Sequence, residues 1–138
     1  MTYTTNSNGF RFYTGHYKDL AIPPDSGLLV ARISTRIDRK DQFFETLRRE
    51  LQLPDYFGAN WDALEECLRD LSWLTNYRGV LLVHAGLPFH SGNRSRNIDL
   101  QILQDTVQYW TQESPFTFTT LFPERSRHEI TKSLKRTS

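Results

Sequence analysis

Asp62, Glu65, Glu66 and Asp70 put four carboxylates on one short stretch of chain. Asp62, Glu66 and Asp70 recur every fourth residue, so on a helix they stack on one face, where like charges cost about 0.2–0.5 kcal/mol per pair. Three chemistries fit such a row. Two carboxylates can share general acid and base work in a hydrolase, but that needs a pocket, a metal or a nucleophile beside them, and nothing adjacent in the sequence supplies one. They can form a solvated helix face with Arg69 as local counter-charge, Glu65 being correctly spaced to pair with it. Or they can face a basic partner, which would explain why the repulsion is tolerated.

The elements that position these acids follow from the flanking residues. Pro54 and Gly58 interrupt a helical pattern that resumes with Trp61, Leu64, Leu68 and Leu71, which predicts a helix starting near Asn60 as its N-cap. Tyr56, Phe57 and Trp61 are either a hydrophobic cluster over the helix start or contact residues; Phe57 is expected in the core and Tyr56 in solvent. Gly58 is expected to supply a turn conformation that other residues resist. Cys67 shares the apolar side with Leu64, Leu68 and Leu71, so its thiol is assigned to packing.

Around this helix the chain alternates strand and helix signals. Residues 10–13 form a short alternating piece, an accessory strand in an N-terminal extension over 1–26, with Pro23-Pro24 as a stop. Residues 28–33 give the first core strand, and Phe43, Phe44, Leu47 and Leu51 give a helix over 39–51 with Asp38 as its cap. Residues 80–84 are apolar throughout, as in a strand buried on both faces. Residues 86–97 read as an exposed loop. Ile98, Ile102, Leu103, Val107 and Trp110 then give a third helix, and 116–122 alternate as a strand. The order predicts an α/β domain over 27–122 with a small parallel sheet, followed by a basic tail over 123–138, at most a loose helix that nothing anchors strongly.

Composition narrows the function classes. The chain has 138 residues, 38% hydrophobic and 24% charged, as in an ordinary globular domain. Its polar start lacks a signal peptide's basic and apolar regions, and with a single cysteine this predicts a cytoplasmic protein with no membrane partner. A net charge of +1 gives no global pull toward nucleic acid, so any charge argument is local. The tail's Arg125, Arg127, Lys132, Lys135 and Arg136 could hold RNA, but a charged terminus is more often solvated, and nucleic acid is not expected as a partner. His16, His84, His90 and His128 show no metal-ligand spacing, and no phosphate-binding loop or nucleophile elbow is present. No cofactor, metal or enzymatic activity is expected.

The run from Leu51 to Leu68, with its core Tyr56-Phe57-Gly58-Ala59-Asn60-Trp61-Asp62-Ala63-Leu64, resembles the signature of the barstar family of intracellular ribonuclease inhibitors. More weakly, the similarity extends from the strand at Leu28 to the one ending near Phe122. The resemblance implies a three-stranded parallel sheet with helices packed on it, and an inhibitor that is monomeric when free. In that family the loop before the second helix, that helix, and the start of the next plug a small basic ribonuclease. Carried over, the contact residues would be Tyr56, Gly58, Asn60, Trp61, Asp62 and Glu66, flanked by Glu65 and Arg69, with Asp62 and Glu66 imitating substrate phosphates. An additional family acid corresponds to Asn97 or Asp99. Glu65, Glu66 and Arg69 depart from the familiar pattern, which leaves open the alternative of the same fold serving a partner that is not a nuclease.

Overall fold

The computed structural model describes residues 3–5, 9–20, 22, 25–34, 37–112 and 115–137. The expected stop at Pro23-Pro24 lies outside them. In chain order the elements are β1 (Tyr3–Thr5), β2 (Arg11–Tyr13), β3 (Leu28–Ile33), α1 (Lys40–Glu50), α2 (Trp61–Asp70), β4 (Gly79–His84), α3 (Arg94–Gln112), β5 (Thr117–Pro123) and α4 (Arg127–Thr137). Short 3-10 turns occupy Tyr17–Asp19 and Glu124–Ser126.

Period-two alternation sorts the strands onto two faces. Leu29, Ala31 and Ile33 of β3, Val80 and Leu82 of β4, and Phe118 and Phe122 of β5 join the main core. All four helices pack against that face, through Phe43 and Leu47, Leu64 and Leu68, Leu100 and Leu103, and Ile130 and Leu134. The opposite face carries Leu81, Val83 and Leu121 and is covered by Tyr17, Leu20 and Ile22. The N-terminal segment therefore packs against the sheet face remote from α2. With both faces covered, β4 is buried at all six positions, as its unbroken apolar run predicts.

The sheet order is β1-β2-β5-β4-β3, with β2, β5, β4 and β3 parallel and β1 antiparallel at the edge. The family-based expectation of three parallel strands is thus one short. Residues 11–13 are more than an accessory, because β2 pairs with β5 from Arg11↔Leu121 to Tyr13↔Pro123. Aromatic packing holds it there: Phe10 and Phe12 lie 5.2 and 6.4 Å from the Phe122 ring, and the Tyr13 hydroxyl donates to the His84 carbonyl at 2.7 Å.

Three local expectations are also corrected. Asp38 does not cap α1; Arg39 holds the N-cap position without a side-chain bond, and Asp38 instead lies 3.4 Å from His90. The expected loop over 86–97 is shorter, because Asn93 accepts the Ser95 N–H through its side chain at 2.8 Å and starts α3 at Arg94. The C-terminal stretch is anchored, since Ile130 and Leu134 of α4 enter the core and Arg127 stacks 4.1 Å from the Phe12 ring while bonding Glu124.

Candidate protein-docking surface

The loop before α2 is locked by its own side chains. Asn60 is extended at φ −141°, and its Oδ1 accepts the Ala63 N–H at 2.8 Å, which satisfies one of the donors a helix start leaves unpaired. Its Nδ2 donates to the Gly58 carbonyl at 3.3 Å, so both ends of the amide are spent on local structure. Gly58 does not adopt the conformation expected of it: the left-handed residue is Ala59, at φ 51°. What Gly58 supplies is room, because a Cβ there would sit 3.3 Å from the Asn60 amide nitrogen.

Beneath the loop, Phe57 is buried 6.0 Å from the Phe44 ring, and Arg48 donates to its carbonyl at 3.2 Å. With Phe57 turned inward, Tyr56 points out and is 70% exposed, its hydroxyl donating to Asp70 at 3.3 Å. Both aromatics stand where the sequence predicts. Trp61 joins the cluster over the helix start while staying half-buried: it meets Phe44 at 4.9 Å, Phe43 at 5.8 Å and Phe89 at 6.2 Å, and part of its surface is open to solvent.

Along α2 the carboxylates divide into two kinds. Glu65 accepts from Arg69 at 2.8 Å, the pairing that its spacing predicts, and both side chains are only partly exposed. Asp62 and Glu66 are exposed and have no ion-pair partner among the described residues. Cys67 is buried, and burial pushes its thiol above the ordinary value, with Asp70 and Glu66 adding to the shift. Its place is in the packing of α2 against the core.

The two candidates for the additional acid differ in exposure. Asp99 is fully buried with neither carboxylate oxygen hydrogen-bonded, and desolvation raises its pKa to about 8. It cannot meet a partner from there. Asn97 is half-buried beside Trp61, Asp62 and Glu65, so the accessible position is a neutral amide.

Arg96 is a positioning residue that periodicity does not reveal, since a charged side chain at the start of a helix normally points to water. It is nearly buried and donates to the Phe89 carbonyl at 2.5 Å and the Pro88 carbonyl at 3.5 Å. Phe89 takes φ 63°, uncommon for a bulky residue, and its ring supports Phe43 at 5.2 Å as well as Trp61. Trp61 is therefore braced by α1 on one side and by the turn leading into α3 on the other.

The assembled face presents two unpaired carboxylates one helical turn apart, an exposed phenol and a braced indole. Among the described residues no cluster of three or more His, Cys, Asp or Glu side chains is placed to hold a metal ion, and no helix is long and apolar enough to cross a membrane. Such an arrangement offers charged acceptors and apolar area side by side, the chemistry that charge-assisted contact with cations requires.

The family model described as Barstar (barnase inhibitor) matches residues 29–122, more than half of the chain and the whole of this face. A search of curated proteins returned no match.

Proposed function

The chain belongs to the barstar family, and on that premise we propose that it binds and blocks the active site of a small basic ribonuclease. The docking face comprises Tyr56, Gly58, Asn60, Trp61, Asp62 and Glu66, with Glu65 and Arg69 flanking it. The observation that carries the reading is the pair Asp62 and Glu66, exposed on one face of α2 without internal counter-charges. Each holds acceptor capacity for the Arg and Lys side chains that grip phosphates in a nuclease. Tyr56 and Trp61 add rigid apolar area, the kind of contact that dominates interface energetics. The complex is one to one, formed in the cytoplasm, where it protects the cell that makes the enzyme.

A second reading rests on the Glu65–Arg69 ion pair, which puts a cation on the acidic helix. It supports a partner that is not a nuclease. One experiment separates the two: RNA hydrolysis by a panel of small basic ribonucleases with equimolar protein added. Loss of activity in at least one supports inhibition. Undiminished activity throughout, with a non-nuclease protein recovered reproducibly by pull-down and lost on Asp62→Ala, supports the second reading.

A further inference from the structure

The outer side of α1 and the loop that enters α2 flank a cleft of about 620 Å³ with a mostly apolar lining. Its floor is aromatic. The buried Phe44 ring meets half-buried Trp61 edge-on at 4.9 Å, above a cluster that continues through Phe43, Phe57 and Phe89. Helical spacing brings Lys40, Asp41, Glu45 and Arg48 to the rim on the same side as Phe44. Three of these charges are already spent: Asp41 lies 3.1 Å from Arg39, and Glu45 lies 3.7 Å from Arg48, which also donates to the Phe57 carbonyl. Lys40 has no ion-pair partner among the described residues. The cleft thus joins an aromatic floor, a rim of self-neutralised pairs and one uncommitted ammonium. Its position bears on what covers it. The exposed positions between Tyr56 and Arg69 are too few for a specific protein interface, which engages roughly 20–30 residues a side, so a protein seated on them spreads onto neighbouring elements. On the side of Trp61 that element is α1, because Asn60 and Trp61 belong both to the cleft and to the proposed docking face.

We propose that this cleft receives a tyrosine side chain of the protein seated on α2, its ring against Phe44 and Trp61 and its hydroxyl accepting from the Lys40 ammonium. The inference rests on the reading of α2 as a face that meets a protein, whether or not that protein is a nuclease. An aromatic ring prolongs the edge-to-face packing that already joins Phe44 to Trp61 and Phe57, whereas an aliphatic side chain fills the floor without that electrostatic match. A carboxylate could reach Lys40 but would face Asp41 and Glu45 on the same rim. A cation would have to break a pair that the rim acids already make or stand unpaired over the rings. A phenol is the neutral group that brings both the ring and an acceptor for Lys40.

The cleft can be tested without the partner. N-acetyl-tyrosine methylamide is titrated into the full chain, following the Trp61 indole N–H, the Ala59 methyl and the Lys40 amide resonances by NMR. The expected result is a saturable response at these three residues, about threefold weaker for the phenylalanine analogue, which lacks the hydroxyl, and about tenfold weaker for the leucine analogue. In Lys40→Met, an exposed substitution that keeps the apolar stem, the tyrosine and phenylalanine analogues should respond alike. No saturable response at these residues, an equal response to the leucine analogue, or a tyrosine preference that survives in Lys40→Met overturns the proposal. Because the titration contains no nuclease, a saturable response alongside a negative ribonuclease panel discards the nuclease reading alone, and no response alongside an inhibited ribonuclease discards the cleft alone.

Discussion

Arg69 donates to Glu65 at 2.8 Å across one turn of α2, which pairs one carboxylate of the acidic helix internally and sets a guanidinium beside the others. An exposed pair of this spacing contributes only about 0.3–0.5 kcal/mol to stability. Its larger effect is electrostatic, because a cation here opposes a basic partner. Arg69→Ala should therefore leave the unfolding midpoint almost unchanged, while association with an inhibited ribonuclease speeds up several-fold at low salt. Stopped-flow association rates measured with and without added salt check this; slower binding by the variant would show that Arg69 makes a favourable contact.

Asp62 and Glu66 carry the opposite expectation. Neither has an internal ion-pair partner among the described residues; Glu66→Ala relieves like-charge repulsion along the helix and should fold at least as stably as the parent, while in Asp62→Ala that relief is offset by losing an acid from the first turn, for a net change within about 1 kcal/mol. Each should nevertheless weaken the complex by about 2–5 kcal/mol, as truncating a desolvated interfacial charge does. Calorimetric titration against the same ribonuclease measures the loss, and unchanged affinity in both variants would end the phosphate-mimicry reading.

Asn60 separates structure from contact. Its amide is used on both sides, accepting from Ala63 and donating to Gly58, so Asn60→Ala should cost about 1 kcal/mol of stability as a lost N-cap. Asn60→Asp should keep most of that stability, since a carboxylate also caps and suits the positive end of the helix. Urea unfolding of the three proteins decides the matter; equal stability of Asn60→Ala and the parent would show that the cap bond contributes nothing.

What the sequence showed was whatever short-range pattern controls. Asn60 as cap, Phe57 inward, Tyr56 outward and Cys67 in the core all follow from the apolar stripe Trp61, Leu64, Leu68 and Leu71. What escaped depends on contacts distant in sequence. The β2 strand has only three residues, and its place beside β5 is settled by Phe10 and Phe12 meeting Phe122, more than a hundred residues away. Arg96 gave no signal because its burial is made tolerable by the Pro88 and Phe89 carbonyls, which only a folded turn presents. The left-handed residue was misassigned by one position because glycine is the usual occupant, whereas Ala59 takes that conformation and leaves Gly58 to clear space for Asn60.

The groove where Trp61 of α2 faces the Ile98 and Ile102 stripe of α3 likewise depends on a contact distant in sequence. Trp61 can be examined for its bracing role without a partner. Trp61→Ala removes contacts with Phe43, Phe44 and Phe89 and should destabilise the fold by about 2–4 kcal/mol, whereas Trp61→Phe should retain much of that. Thermal unfolding checks the ranking. A loss under about 0.5 kcal/mol in Trp61→Ala would mark the indole as surface only.

Two buried groups set the pH range of stability from opposite sides. Asp99 has its pKa raised by desolvation from 3.8 to about 8, and His84, whose Nε2 is unpartnered, has its pKa lowered by burial from 6.5 to about 3. For Asp99 the folded state keeps its proton while the unfolded chain releases it, so this group costs stability as pH rises from 3.8 toward 8. For His84 the unfolded chain takes up a proton that the folded state refuses, so stability is lost as pH falls from 6.5 toward 3. Between 3.8 and 6.5 the two slopes oppose each other and cancel, which predicts a plateau. Above it only Asp99 acts, and stability should decline by on the order of 1 kcal/mol per pH unit. Below it only His84 acts, with an acid limb of similar steepness. Denaturant unfolding at pH steps from 3 to 9 tests this, with Asp99→Asn as the control that should flatten the alkaline limb and, with nothing left to oppose His84, extend the acid limb up to 6.5. A parent profile flat from 6.5 to 8 would mean that the buried carboxyl titrates as an ordinary one.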